Sequence, residues 1–187
     1  KQFSEFGECL FTHFGLSGPI ILDISKKVGE LLKNGQVMAS LDLKPALDFA
    51  TLDDRAQRDF KKYNNKVFKN CLSDLLPRKL IPVIVRLSKI HPEKKASEIT
   101  REERQGLVRL LKNLEMTVDG ILGFEIAIVT SGGIILDEID DKTMRSKIID
   151  NLFFAGEMID VDGPSGGYNL QVCWSTGYLA GQSASGQ

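Results

Sequence analysis

Residues 152–181 read LFFAGEMIDVDGPSGGYNLQVCWSTGYLAG, and this stretch decides the fold. It opens on an unbroken apolar run, Leu152-Phe153-Phe154-Ala155, the spelling of a strand covered on both faces as in parallel sheets flanked by helices. The run stops at Gly156-Glu157, at the carboxyl end of the expected strand, where open α/β sheets hold their ligands. A loop with Asp160 and Asp162 follows, then Gly166-Gly167, then a segment that predicts a helix over 168–183. Glycines ahead of a helix leave its first amides uncovered, at the positive end of the helix dipole. That end suits a phosphate or the electron-rich oxygen edge of a flavin ring, and Glu157 can accept from sugar hydroxyls. Gly177 and Gly181 lie four apart on one helix face and predict close approach to a sheet, since a helical glycine costs about 1 kcal/mol against alanine. The same letters also describe an acidic, glycine-rich surface turn that only caps a helix. Spacing alone leaves both readings open.

Upstream the texture is mixed. From 116 onward Asp119-Gly120 reads as a hairpin turn, 124–129 as a strand, Gly132-Gly133 as a turn and 134–136 as a returning strand. Between 48 and 114 the periodicity is helical, with Phe60, Tyr63, Val67, Phe68, Cys71, Leu72 and Leu75 at three- and four-residue steps in one stripe. Pro77 and Pro82 punctuate a second helix, and Thr100-Arg101-Glu102-Glu103 spells a capping box before a third. The first 47 residues read as a strand, a turn in which Ser17 accepts from the helix amides after Pro19, a helix stopping at Asn34-Gly35, and an alternating strand over 37–43.

Composition narrows the classes. With 187 residues, 42% hydrophobic and 26% charged, the chain is globular rather than disordered. A net charge of -1 gives no overall field for nucleic acid or an anionic membrane, so neither partner is expected. Cys9, Cys71 and Cys173 are odd in number and form no CxxC pair, which points to reduced thiols and a cytoplasmic protein. No apolar run reaches the roughly 18 residues of a membrane helix. The chain opens at Lys1 in what reads as mid-element, as a piece of something longer would.

Residues 152–181 resemble the carboxyl-terminal FAD motif of two-dinucleotide-binding-type flavoproteins. More narrowly, Ala155-Gly156-Glu157, Asp160-Val161-Asp162-Gly163 and Gly166-Gly167-Tyr168-Asn169-Leu170-Gln171 resemble the HI0933-like flavoprotein family, which includes aminoacetone oxidases and a bile-acid-modifying flavoenzyme. The stretches LFTHFGLSGP (10–19), VTSGGI (129–134) and TMRSK (143–147) match the same family in the same order. The resemblance implies a mixed α+β and α/β chain. Residues 1–115 would belong to an insertion domain, barrel-like over 1–47 and helical over 48–115, and 116–187 would be the carboxyl-terminal strands and helix of a Rossmann-type FAD domain. It implies that Gly156 and Glu157 meet the ribityl-pyrophosphate side of FAD and that Asp162 also belongs to the cofactor site. Gly166, Gly167, Tyr168, Asn169 and Leu170 would line the isoalloxazine, and Thr130, Gly132 and Gly133 would approach from a neighbouring loop. The implied function is flavin-mediated hydride or electron transfer on a small-molecule substrate, with NAD(P)H as a candidate donor. The GxGxxG fingerprint that holds the adenosine pyrophosphate is missing from this sequence. The chain alone is therefore expected to bind FAD weakly or not at all and to need an amino-terminal FAD-binding half.

Other readings compete. Gly163-Pro164-Ser165-Gly166-Gly167 fits the letters of a GxSxG nucleophile elbow, but there the catalytic histidine follows the serine, and His13 and His91 both precede Ser165. His13 is expected to be a hydrogen-bonded structural residue, His91 a loop residue and Cys173 a buried helix-face thiol. Asp160 and Asp162 lack metal-ligand partners, so no metal is expected. The helical segment can also be read as a non-catalytic module for protein or RNA, although its cations mingle with Asp53, Asp54 and Asp59. No side chain stands out as a catalytic acid or base.

Overall fold

The computed structural model describes residues 3–186, which form a mixed α/β structure in two compact units, one of residues 38–118 and one of 3–37 with 119–186.

In the 38–118 unit, α2 (Phe49–Lys62) begins where the Asp48 carboxylate accepts from the Thr51 amide at 2.7 Å. α4 (Arg101–Lys112) begins on the expected capping box: the Glu103 amide donates to Thr100 Oγ1, and the Thr100 amide donates to Glu103 Oε2. These helices and the short α3 (Ile81–Leu87) enclose one core, in which Leu52, Phe68, Leu72, Ile84, Leu107 and Leu111 are fully buried. Arg104 grips Asp53 with two bonds, 2.8 and 3.0 Å, tying α4 to α2. β3 (Val37–Leu41) pairs with β4 (Leu114–Val118) below them.

The apolar stripe of 60–75 is not one helix. Its helix stops at Lys62, ahead of Asn64 and Asn65, and the chain turns extended. There it finds partners across the unit, Phe68 N to Lys94 O at 2.8 Å and Ala96 N to Lys66 O at 2.9 Å. The apolar side chains reach the same core by a different backbone.

In the other unit, β1 (Leu10–Phe11) and β2 (Leu16–Ser17) form a minimal antiparallel pair. Gly18 then starts α1 (Pro19–Leu32) at φ 98, where a Cβ would lie 2.9 Å from the Glu8 carbonyl oxygen. Gly18 is the N-cap and no side chain caps this helix, so Ser17 does not play the capping part expected of it. No barrel closes among the described residues; the sheets are two two-stranded pairs.

Residues 121–160 depart most from the periodicity. Phe124–Ile126 is a single 3₁₀ turn rather than part of a strand. Residues 152–154 run beside 144–146 through Ser146 N to Leu152 O and Phe154 N to Met144 O, but they are not buried on both faces, and Leu152 is exposed. A ladder elsewhere joins Ile134 to the 158–160 backbone. α5 (Tyr168–Ala184) packs against the 3₁₀ turn Gly156–Met158. Ile139, Met144, Ile159 and Ala180 form the small core there.

Candidate functional site

The glycine-rich loop ahead of α5 is held in place residue by residue. Asp162 receives Lys26 Nζ of α1 at 2.5 Å. The Gly163 backbone is bonded twice by one side chain: its amide donates to Asn169 Oδ1 at 2.8 Å, and its carbonyl accepts from Asn169 Nδ2 at 3.0 Å. The Ser165 amide donates to Asp23 Oδ1 at 2.6 Å and its hydroxyl to Asp23 Oδ2 at 3.1 Å. The Lys26 ammonium is held charged above its ordinary range, chiefly by its hydrogen bond to Asp162.

Gly166 and Gly167 are different. Both are exposed, at φ 116 and φ 93, in the left-handed region that favours glycine. A Cβ on Gly167 would meet nothing within 4 Å, so glycine serves its conformation there rather than a tight fit. Gly167 is the N-cap of α5, and no side chain caps that helix end. The first intrahelical bond from beyond the opening turn is Gln171 N to Gly167 O. The amides before it point outward with the positive end of a 17-residue helix behind them.

The expected site residues fall into three groups. Gly166, Gly167 and the backbone of Tyr168, Asn169 and Leu170 gather at the open helix end. Gly156, at φ 70, lies against α5 nearby: its amide donates to Thr176 Oγ1 at 2.9 Å, and a Cβ on it would touch Cys173 Sγ at 3.7 Å. Glu157 follows, exposed, with no hydrogen-bond or ion-pair partner among the described residues.

The second group is present but engaged. The Asp162 carboxylate is taken by Lys26, and the Asn169 side chain is spent on Gly163, which leaves Asn169 only its backbone amide for a ligand. Gly133, at φ 146, has a packing reason to be glycine, because a Cβ there would lie 2.4 Å from the Met158 carbonyl oxygen. Thr130 and Gly132 form the third group: both are exposed, and a Cβ on Gly132 would meet nothing within 4 Å.

Asp23, Lys26 and Thr176 were not legible as site residues. Asp23 and Ser165 are 142 positions apart, and no local pattern links such a pair. Gly177 and Gly181 do not pack closely on anything described; a Cβ on either would be in open space. His13 is exposed and packs edge-on against Phe14 at 5.1 Å, without the expected hydrogen bond among the described residues. Ser165, with its hydroxyl on Asp23, has no histidine among its hydrogen-bond partners. Cys173 is half-buried rather than buried.

An electron-rich ring edge fits this arrangement. The open helix end offers backbone donors, Gly167 leaves its own side open although the Tyr168 ring lies beside Gly166, and Glu157 stands free to accept from hydroxyls.

Comparison with known proteins bears on the whole chain. The family described as HI0933-like protein Rossmann domain matches residues 104–183, and HI0933-like protein barrel and H2TH domain matches residues 1–129. The 3-dehydro-bile acid delta(4,6)-reductase of Clostridium scindens is 34% identical over 179 residues, 95% of this chain and 44% of that protein. The ribosomal RNA dihydrouridine synthases of Escherichia coli and Haemophilus influenzae are 34% and 33% identical, over 92% and 98% of this chain and 41% and 44% of theirs. The chain thus spans less than half the length of the curated relatives it matches. On these matches, the chain belongs to the HI0933-like protein family.

Proposed function

We propose that this chain is the carboxyl-terminal part of an FAD-dependent oxidoreductase that reduces a ring carbon–carbon double bond. The single observation carrying the flavin reading is the uncapped start of α5 behind a left-handed diglycine, with Asp162, Gly163 and Ser165 before it tied down. When bound, FAD supplies hydride; this chain supplies the surroundings. Backbone amides of Gly166 to Leu170 would hold the oxygen edge of the ring and would favour its negatively charged reduced form. Gly156, with its backbone against α5, would leave room for the ribityl chain, and Glu157 would accept from its hydroxyls. Asp162 acts on the cofactor only through the loop it holds. Thr130 and Gly132, exposed on the 129–134 loop, would approach it from that side. Residues 1–115 are read as the later portion of the insertion domain and 116–187 as the return to the FAD domain.

The reaction class is supported by the relatives, whose names describe adding hydrogen to a steroid and to a uracil ring. The adenosine end of the cofactor falls to an amino-terminal half, and NAD(P)H is the proposed donor. The test is the absorption spectrum of the full-length protein, followed by anaerobic bleaching with NADH or NADPH and reoxidation by a 3-keto-4,6-diene steroid or a uridine-containing RNA. A full-length protein without flavin bands removes the reading.

A distribution of charge favours RNA as the substrate over a small molecule. The net charge of -1 hides 17 Lys and Arg against 11 Asp and Glu in residues 38–118, a net of +6, and 7 against 14 elsewhere, a net of -7. Between Phe60 and Pro92 Asp74 is the sole acid, against eight Lys and Arg, all exposed. Two of them, Arg86 and Lys69, the latter paired with Glu93, flank an open cavity of about 500 Å³ with Ile81, Pro82, Val85 and Pro92 in its lining. Cations around an apolar hollow suit phosphates around an unstacked base. Binding of a ribosomal RNA fragment that weakens steeply with salt, and is lost on Arg86→Glu with Lys66→Glu, supports this reading; salt-independent or absent binding returns the substrate to small molecules.

A further inference from the structure

Two residues of α1 hold the loop in front of α5. Asp23 and Lys26 stand three positions apart, on one helix face, and reach Ser165 and Asp162 on either side of Gly163-Pro164. Asn169 fixes Gly163 from the α5 side. Residues 162, 163 and 165 are therefore each held by a side-chain hydrogen bond, while Gly166 and Gly167 receive none, the Tyr168 ring only lying beside Gly166. The two glycines have the least conformational preference of their own. Their left-handed turn depends on where Ser165 is held.

Asp23 is an awkward neighbour for an anion. A carboxylate this close to the helix end repels a negatively charged ring, so attraction cannot be its role. Its geometry gives another: both oxygens are occupied by one residue, the last before the diglycine.

We infer that Asp23 is a positioning residue, which presets the Gly166–Gly167 turn for the flavin by holding Ser165; the inference rests on the flavin reading above. Asp23→Asn and Asp23→Ala separate this role from a charge effect. Both remove the charge. Only asparagine keeps an acceptor for the Ser165 amide, and its Nδ2 can donate to the Ser165 hydroxyl in place of the lost contact.

The test uses the full-length protein, with FAD titrated by fluorescence and the midpoint potential measured beside it. Asp23→Asn binds FAD within about threefold of the wild type, and its potential is equal to or above the wild-type value. Asp23→Ala binds about tenfold more weakly than Asp23→Asn. Its potential lies about 30 mV below that of Asp23→Asn, the two-electron equivalent of a further tenfold lost by the reduced form. Equal affinities and potentials in the two variants overturn the inference. If Asp23→Ala does not fold, amide exchange in the flavin-free wild type decides: a Ser165 amide protected well beyond that of Gly167 supports the clamp, and equal exchange overturns it. A wild-type protein that holds no flavin instead sinks the flavin reading itself.

Discussion

Gly120 and Gly133 are glycines of the same stretch with opposite reasons to be there. A Cβ on Gly120 would meet nothing within 4 Å, whereas one on Gly133 would stand 2.4 Å from the Met158 carbonyl oxygen, on a residue already at φ 146. The contact cannot be relieved by a rotamer change, because it is backbone that is struck, and that backbone, at the end of the 3₁₀ turn Gly156–Met158, carries the ladder with Ile134. Gly133→Ala should cost at least about 2 kcal/mol of stability and Gly120→Ala less than about 0.5, read from denaturant melts of the two variants. Charge gives a second residue-scale expectation. The hydrogen bonds from Arg104 hold the Asp53 carboxyl below its ordinary value, against the opposing effect of burial, and Lys94 does the same for Glu103. A carboxylate depressed on folding stabilises the fold above its unfolded pKa, near 4, and that contribution is lost as the pH falls through the lower folded value. Thermal stability of the 38–118 unit should therefore drop on acidification below about pH 4. Asp53→Asn should flatten that drop while lowering stability at pH 7, and an unchanged acid limb would contradict the Arg104 pair as its source.

Among the elements, α4 shows how far local sequence reaches. Its capping box appears in the structure as spelled, and of the leucine stripe expected at 107, 110, 111 and 114 the helix buries Leu107 and Leu111, with Leu110 half-buried and Val108 buried beside them. Thr100→Ala removes the acceptor for the Glu103 amide and should cost about 1 kcal/mol, measurable as a lower midpoint in urea without a change in slope. α1, α3 and α5 were legible on the same grounds, as was the alternation of β3, because each is specified by neighbours a few residues away; the stripe read over 60–75 missed α2, which ends at Lys62. What was not legible needed distant partners. The extended residues 121–136 and 152–155 have strand composition, but a strand exists only through the chain beside it, and among the described residues they find isolated bridges and a 3₁₀ turn. In the candidate site, the diglycine and the helix after it were readable from their order. The engagement of Asn169 with Gly163 was not, since an asparagine in a first turn is equally free to face a ligand. Nor were Asp23 and Lys26, which come to the loop across more than 130 positions. The charge of the 60–92 segment was readable throughout and was obscured by the whole-chain sum.

At the scale of the molecule, the surface of α5 asks for something more than these residues provide. Leu170, Trp174 and Tyr178 follow one another at four-residue steps and are 58, 66 and 68% exposed, on the helix whose first turn forms the candidate site. A stripe of that width on one face is the face a helix normally buries, and its aromatic members each represent a large apolar area left in water. Gly177, between Trp174 and Tyr178 in sequence, has open space where its Cβ would be, as does Gly181. Glycines at such a spacing weaken a helix unless another surface comes close. The proposed amino-terminal half of the FAD domain is the surface that would meet both needs, and the same half would bring the glycine fingerprint for the adenosine pyrophosphate. Trp174 is the one tryptophan of these 187 residues, so in this chain its emission reports this face alone, and in the full-length protein the difference from a Trp174→Phe variant isolates it. The 187-residue chain by itself should emit at the red wavelengths of a solvated indole and lose added FAD on desalting. In the full-length protein Trp174 should emit further to the blue, and the yellow cofactor should survive the same column. If the emission of Trp174 is the same in both proteins, the α5 stripe is not where the two halves meet, and the exposed aromatics require a different partner.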